Sequence, residues 1–135
     1  MRILLLEENP LVALAAMFEI QDRGGTVIGP FNEVEAAMQA VRRLHIDAAI
    51  LDFNLPDGNC MPVARYLRMR GVPFLVTTGS EELLKECPDN VVIKPYLEGE
   101  LIKRLEEHLS RAAARHTEVR KSVNVVAAHA HRFNL

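Results

Sequence analysis

The chain is poor in cysteine, with Cys60 and Cys87 alone among 135 residues and no Cys-x-x-Cys pair. A disulfide framework is not expected, and both thiols read as small buried or half-buried residues in a reducing cytoplasm. Long apolar runs are missing as well. None approaches the length of a bilayer span, and Met1 leads into its apolar run without a signal-peptide pattern. There is no surplus of positive charge either, since 16 Lys and Arg stand against 18 Asp and Glu for a net charge of −2. Phosphate-backbone binding needs clustered basic residues, so neither a nucleic-acid nor a membrane partner is expected. No internal repeat and no low-complexity segment breaks the chain.

What is present suits one domain with its own core: 49% apolar and 25% charged residues. Short apolar runs alternate with longer helical periods. Ile3-Leu4-Leu5-Leu6 has no polar alternation, as expected of a strand buried on both faces. Asn9-Pro10 reads as a cap and first helical residue, and a helix follows through Leu11, Leu14, Phe18 and Ile20 until Gly24-Gly25 stops it. Thr26-Val27-Ile28 predicts a second strand. Asn32 is expected to cap the next helix, whose apolar positions are Val34, Ala37, Met38, Val41 and Leu44. Ala48 to Leu51 predicts a third strand, ending in Asp52, and a turn-rich loop runs to Gly58. A helix from about Pro62 to Met69, a strand over Pro73 to Thr77, a short helix from Glu81 to Glu86 and a strand over Val91 to Ile93 follow. Leu97, Leu101, Ile102, Leu105 and Leu109 mark a last long helix. Five strands alternating with five helical patterns predict an α/β fold, a doubly wound parallel sheet with helices on both faces.

In such a sheet function collects at the carboxyl ends of the strands. Those ends carry Glu7-Glu8, Asp52, Thr77-Thr78 and Lys94-Pro95. Three carboxylates at one edge repel each other and ask for a hard divalent cation, for which Mg²⁺ is suited. A carboxylate beside such a metal can act as a nucleophile toward phosphorus, with a lysine ammonium neutralising charge on the transferred group.

Four pieces, in order and at these spacings, make the chain resemble the response-regulator receiver family over about residues 1–112. They are Arg2 to Glu8, Leu51-Asp-Phe-Asn-Leu-Pro-Asp-Gly58, Pro73-Phe-Leu-Val-Thr-Thr-Gly79 and Val92-Ile-Lys-Pro95. The Thr-Gly pair and the Val-Pro-Phe run resemble most the single-domain receivers of alphaproteobacterial stress signalling. The resemblance implies a flavodoxin-like sheet of strand order 2-1-3-4-5. It implies a receiver domain over 1–115, with 116–135 a tail or packed extension and no separate output domain. Asp52 would be the phosphoacceptor, and Glu7, Glu8, Asp52 and the backbone carbonyl of Asn54 would hold Mg²⁺ or another small divalent cation. Thr78 would be the switch hydroxyl, since it lies five residues after Pro73 with small Gly79 behind it. Lys94 would contact the phosphoryl group, and Lys94-Pro95 would be cis. A histidine kinase or histidine phosphotransfer protein would donate the phosphoryl group. An unidentified downstream protein would read the switch by docking around Glu81 to Leu109, and a homodimer is a further arrangement. The chain would be a cytoplasmic switch rather than an enzyme.

Two positions depart from the family pattern. Glu8 is one methylene longer than the usual Asp, and Val91 replaces the usual aromatic three positions before the lysine. Both favour an alternative, a pseudo-receiver acting as a constitutive interaction module. Asp52, Thr78 and Lys94 oppose it. A phosphatase of the haloacid-dehalogenase type would want a second Asp at position 54, where Asn54 stands. His116, His129 and His131 lack the spacing and partner ligands of a metal site.

Overall fold

A computed structural model describes residues 1–86 and 90–115. Cys87 and the histidines at 116, 129 and 131 lie outside the described residues, as does the extension expected over 116–135. Strand β1 (Arg2–Leu6) is followed by α1 (Pro10–Asp22), β2 (Thr26–Phe31), α2 (Val34–Arg43) and β3 (Ala48–Asp52). A two-residue hairpin, β4 (Asn54–Leu55) and β5 (Gly58–Asn59), leads to α3 (Met61–Met69). Then come β6 (Phe74–Thr78), α4 (Glu81–Glu86), β7 (Val91–Ile93) and a helix over 100–115, here α5. The main sheet is parallel throughout, in the order β2-β1-β3-β6-β7. This is the doubly wound sheet expected from the strand pattern, in the flavodoxin-like order that the resemblance implies.

Unbroken apolar strands arise because both sheet faces are covered, and period-2 alternation divides the core in two. Leu4, Leu6, Leu51 and Val76 face α2, α3 and α4. Ile3, Leu5, Ile50 and Leu75 face α1 and α5. Cys60 is buried in the first cluster, where burial foremost, and then the charge of Asp52, push its thiol up to about 12, so it is an inert core residue. No helix of the described residues is long and apolar enough to cross a membrane.

One expectation about a helix is corrected, and another helix settles a choice of face that its periodicity leaves open. Helix α1 turns Ala13, Ala16 and Ile20 inward, while Leu11, Leu14 and Phe18 are 79%, 45% and 62% exposed. The sequence carries two apolar stripes at helical spacing, and the one with the small alanines sits against the sheet because it allows a closer approach. The correction concerns α2. Its N-cap position is Glu33, without a side-chain bond, and Asn32 does not cap it. Asp57, from the hairpin after β3, does so instead, accepting the Val34 N–H at 2.8 Å and the Glu35 N–H at 3.1 Å. Hydrogen bonds to these donors hold the Asp57 carboxyl below its usual range. The loop that follows Asp52 is thus tied to the next layer of the fold.

Candidate functional site at the carboxyl edge of the sheet

The order of the strands reverses between β1 and β3, which makes the crevice at their carboxyl ends the natural site. Register delivers the residues. Leu6 pairs with Leu51, so Glu7 and Asp52 follow side by side. Asp52 pairs with Thr77, and Thr78 with Ile93, which puts Lys94 next along. On the other side a register shift in the β1–β2 ladder lets Leu6 pair with Phe31, and the Phe31 carbonyl accepts the Glu7 N–H at 2.8 Å. Gly29 makes this possible: its φ is +113°, and a Cβ there would lie 2.8 Å from the Leu5 carbonyl oxygen.

Glu7 is held by two donors. Its Oε1 accepts the Lys94 ammonium at 2.8 Å and its Oε2 accepts the Asn9 N–H at 3.0 Å. Asn9 is also the cap of α1, its side chain accepting the Leu11 N–H at 3.0 Å, so one residue fixes both the helix entry and the buried carboxylate. Lys94 reaches Asp52 Oδ2 at 3.1 Å as well. Two carboxylates therefore share one ammonium in a half-closed site.

The charges sort accordingly. Burial works to raise the Glu7 carboxyl, but the bonds from Lys94 and Asn9 outweigh it and hold Glu7 below the usual carboxylate range. Burial, and then the neighbouring Glu7, push Asp52 up to about 6 against the pull of Lys94. Burial works to lower the Lys94 ammonium, yet the two carboxylates hold it above its ordinary value. Negative charge exceeds positive, and the excess falls on Asp52.

The remaining residues named from the sequence stand as follows. Thr78 is buried at the end of β6, and its Oγ1 accepts the Ser80 N–H at 3.1 Å. Its carbonyl accepts the Lys94 N–H at 2.8 Å, which ties the hydroxyl-bearing residue to the lysine through the backbone. Asn54 is exposed on β4. Val91 is buried in the core cluster on the α2–α4 face. The Lys94–Pro95 peptide bond is cis. Glu8 is exposed, so the cluster holds two acids with the lysine rather than three acids. Sequence reading missed Asn9 as a donor to Glu7 and Asp57 as the cap of α2, because both bonds join side chain to backbone across a turn or a loop. The Asn-Pro pair was a visible signal for the first, and nothing local signals the second.

Among the described residues no group of three or more His, Cys, Asp or Glu is placed to hold a metal. Glu7 and Asp52 nonetheless fit a small divalent cation. They are two hard carboxylates at one sheet edge, and burial, then the neighbouring Glu7, pushes Asp52 up, so added positive charge there would be favourable.

No family profile matches the chain. Among curated proteins it is similar to the DNA-binding response regulator MtrA of Mycolicibacterium smegmatis, 34% identical over 118 residues, covering 82% of this chain and 51% of that protein. The chain spans about half the length of the curated relatives it matches. Since this relative is named as DNA-binding, the expectation of no nucleic-acid partner finds no support. Among solved structures it is similar to SdrG from Sphingomonas melonis, 32% identical with a TM-score of 0.69, covering 80% of this chain and 95% of that one. It is also similar to the receiver domain of the TMAO respiratory response regulator TorR, 26% identical with a TM-score of 0.69, covering 82% and 98%. With its strand order and its carboxylate–lysine edge, the chain belongs to the response-regulator receiver family of two-component signalling.

Proposed function

We propose that the protein is a phosphorylatable switch whose acceptor is Asp52. The observation that carries this reading is the Lys94 ammonium bound to both Glu7 and Asp52, with Thr78 at the end of the adjacent strand. An oxygen of ionised Asp52 attacks the phosphorus of a phosphohistidine on a histidine kinase or phosphotransfer protein. A P–O bond forms as the P–N bond breaks, and the electron pair leaves on the imidazole, which takes a proton from water. Glu7, Asp52 and the Asn54 carbonyl would hold Mg²⁺, with Glu8 joining through its longer side chain. When bound, the ion supplies positive charge to the equatorial oxygens during transfer. Lys94 orients the acceptor oxygen and then the attached group. The Thr78 hydroxyl keeps the Ser80 N–H as its donor and turns its own proton toward a phosphoryl oxygen.

Because Thr78 and Lys94 share a backbone hydrogen bond, drawing them inward moves the loops into α4 and α5 together. A docking partner that prefers one arrangement reads the state. With Val91 in place of an aromatic, the readout passes through loop and helix position. The reading carries a cytoplasmic location with it. A BeF₃-activated conformation of SdrG, a protein 32% identical to this chain, supports the phosphorylation chemistry. The pseudo-receiver alternative draws no comparable support.

The test is incubation with acetyl phosphate, with and without Mg²⁺, followed by intact mass. One added phosphoryl group is expected, dependent on Mg²⁺ and lost in Asp52→Asn. An unmodified mass both here and with a cognate kinase, or equal labelling of Asp52→Asn, would refute the assignment.

A further inference from the structure

The end of the sheet opposite Asp52 carries the reverse charge. Arg42 and Arg43 lie in the last turn of α2, His45 follows, and Arg70 is the C-cap of α3. With Tyr66 and Leu67 they line a cavity of about 320 Å³. Among the described residues none of the three arginines forms an ion pair with a carboxylate. The acid of this segment, Asp47, pairs with none of them: it accepts the Arg2 N–H at 2.6 Å and faces His45 Nε2, at the cavity's edge, at 2.7 Å. Arg70 is held in place, its guanidinium donating to the Tyr66 hydroxyl at 2.9 Å and lying 5.2 Å from the Tyr66 ring centre.

Helix polarity accounts for part of this charge. Each helix carboxyl end carries roughly half a negative charge, so α2 and α3 together offset about one of the three guanidiniums. Two remain unbalanced around a concave, partly apolar wall, in a protein whose net charge is −2. A flat basic stripe would fit a nucleic-acid backbone. A cavity at the small end of the usual ligand range, about 300–1,000 Å³, fits a small molecule. Guanidiniums on two different elements can each take a phosphate in a forked pair, and the Tyr66 ring offers an aromatic edge beside them.

We propose that this cavity binds a small polyanion carrying two linked phosphate groups, as in pyrophosphate or a nucleoside diphosphate. The site is separate from the acceptor edge, where Glu7 and Asp52 would repel such a ligand. Calorimetry of the full chain with pyrophosphate and then ADP, at low salt and without Mg²⁺, tests it. Saturable one-site binding is expected, weakening as salt is raised. Losing one charge-assisted pair in Arg42→Ala or Arg70→Ala should weaken binding about tenfold or more. Arg70→Lys should recover only part of the loss, since it restores the charge but not the fork, and Asp52→Asn should bind as wild type does. Tighter binding of ADP than of pyrophosphate would place the base against Tyr66, and equal binding would leave the diphosphate as the whole ligand; either supports the site. No saturation by either compound up to about 5 mM, weaker than any useful affinity, would overturn the proposal. So would arginine variants that bind as wild type does, or an Asp52→Asn variant that loses binding as they do.

Discussion

Removing the acceptor's charge should make the fold more stable. Asp52 is pushed up from its ordinary 3.8 to about 6 by burial and by Glu7. The folded protein therefore prefers that carboxyl neutral by about 3 kcal/mol, at about 1.36 kcal/mol per pH unit. Water at the open edge of the site screens part of this, so about 1–2 kcal/mol should be gained by Asp52→Asn at pH 7.5. For a chain of this size that is roughly 4–8 °C in Tm. The pH window follows from the direction of the shift. Below about pH 4 the carboxyl is neutral folded and unfolded, and the variant gains nothing. Between about 4 and 6 the unfolded chain ionises while the folded one keeps its proton, so wild-type stability falls relative to the variant. Above 6 the difference is constant. Glu7→Gln should do the opposite, because the fold holds Glu7 below its ordinary value and favours its charge. Its loss should be present at pH 7.5 and shrink as the pH falls through the carboxylate range. Urea unfolding of the three proteins at pH 4 and pH 7.5 decides the matter. An Asp52→Asn variant less stable than wild type at pH 7.5, or a gain equal at both pH values, would refute the reasoning.

Asp57→Ala should lower Tm, because two α2 N–H groups lose their acceptor, while Asn32→Ala should leave it unchanged; thermal melts of both variants compare them directly. Glu8→Asp should tighten Mg²⁺ binding, since the shorter side chain brings its oxygen to the edge with less rotamer freedom to lose, and a Mg²⁺ titration of the apo protein that shows equal or weaker binding by the Asp variant would contradict this. Ile20→Ala should cost about 2–5 kcal/mol by leaving a cavity under α1, whereas Phe18→Ser on the exposed stripe should stay within about 0.5 kcal/mol in chemical denaturation.

Much of this architecture was legible in the chain itself. Runs such as Ile3 to Leu6 and Ala48 to Leu51 can be strands only if both faces are covered, which forces helices onto each side of a parallel sheet. Once the strands are parallel, their ends must share one edge, and the residues following each strand can be read off as neighbours. That is why Glu7 with Glu8, Asp52, Thr77 with Thr78, and Lys94 group together from the sequence alone, whereas singling out Thr78 rests on the resemblance to receivers. Tertiary structure alone decided which of two equally periodic stripes of α1 faces the sheet, because periodicity records spacing and not which face a neighbour will cover. It decided that Asp57 caps α2 in place of Asn32, since a cap 22 or 23 residues away in sequence leaves no local trace. It also decided the charge state of the site. The sequence places Glu8 beside Glu7, but only the packed edge turns one carboxylate onto Lys94 and leaves the other exposed, because burial and distance, not adjacency in sequence, set the energy of a charge.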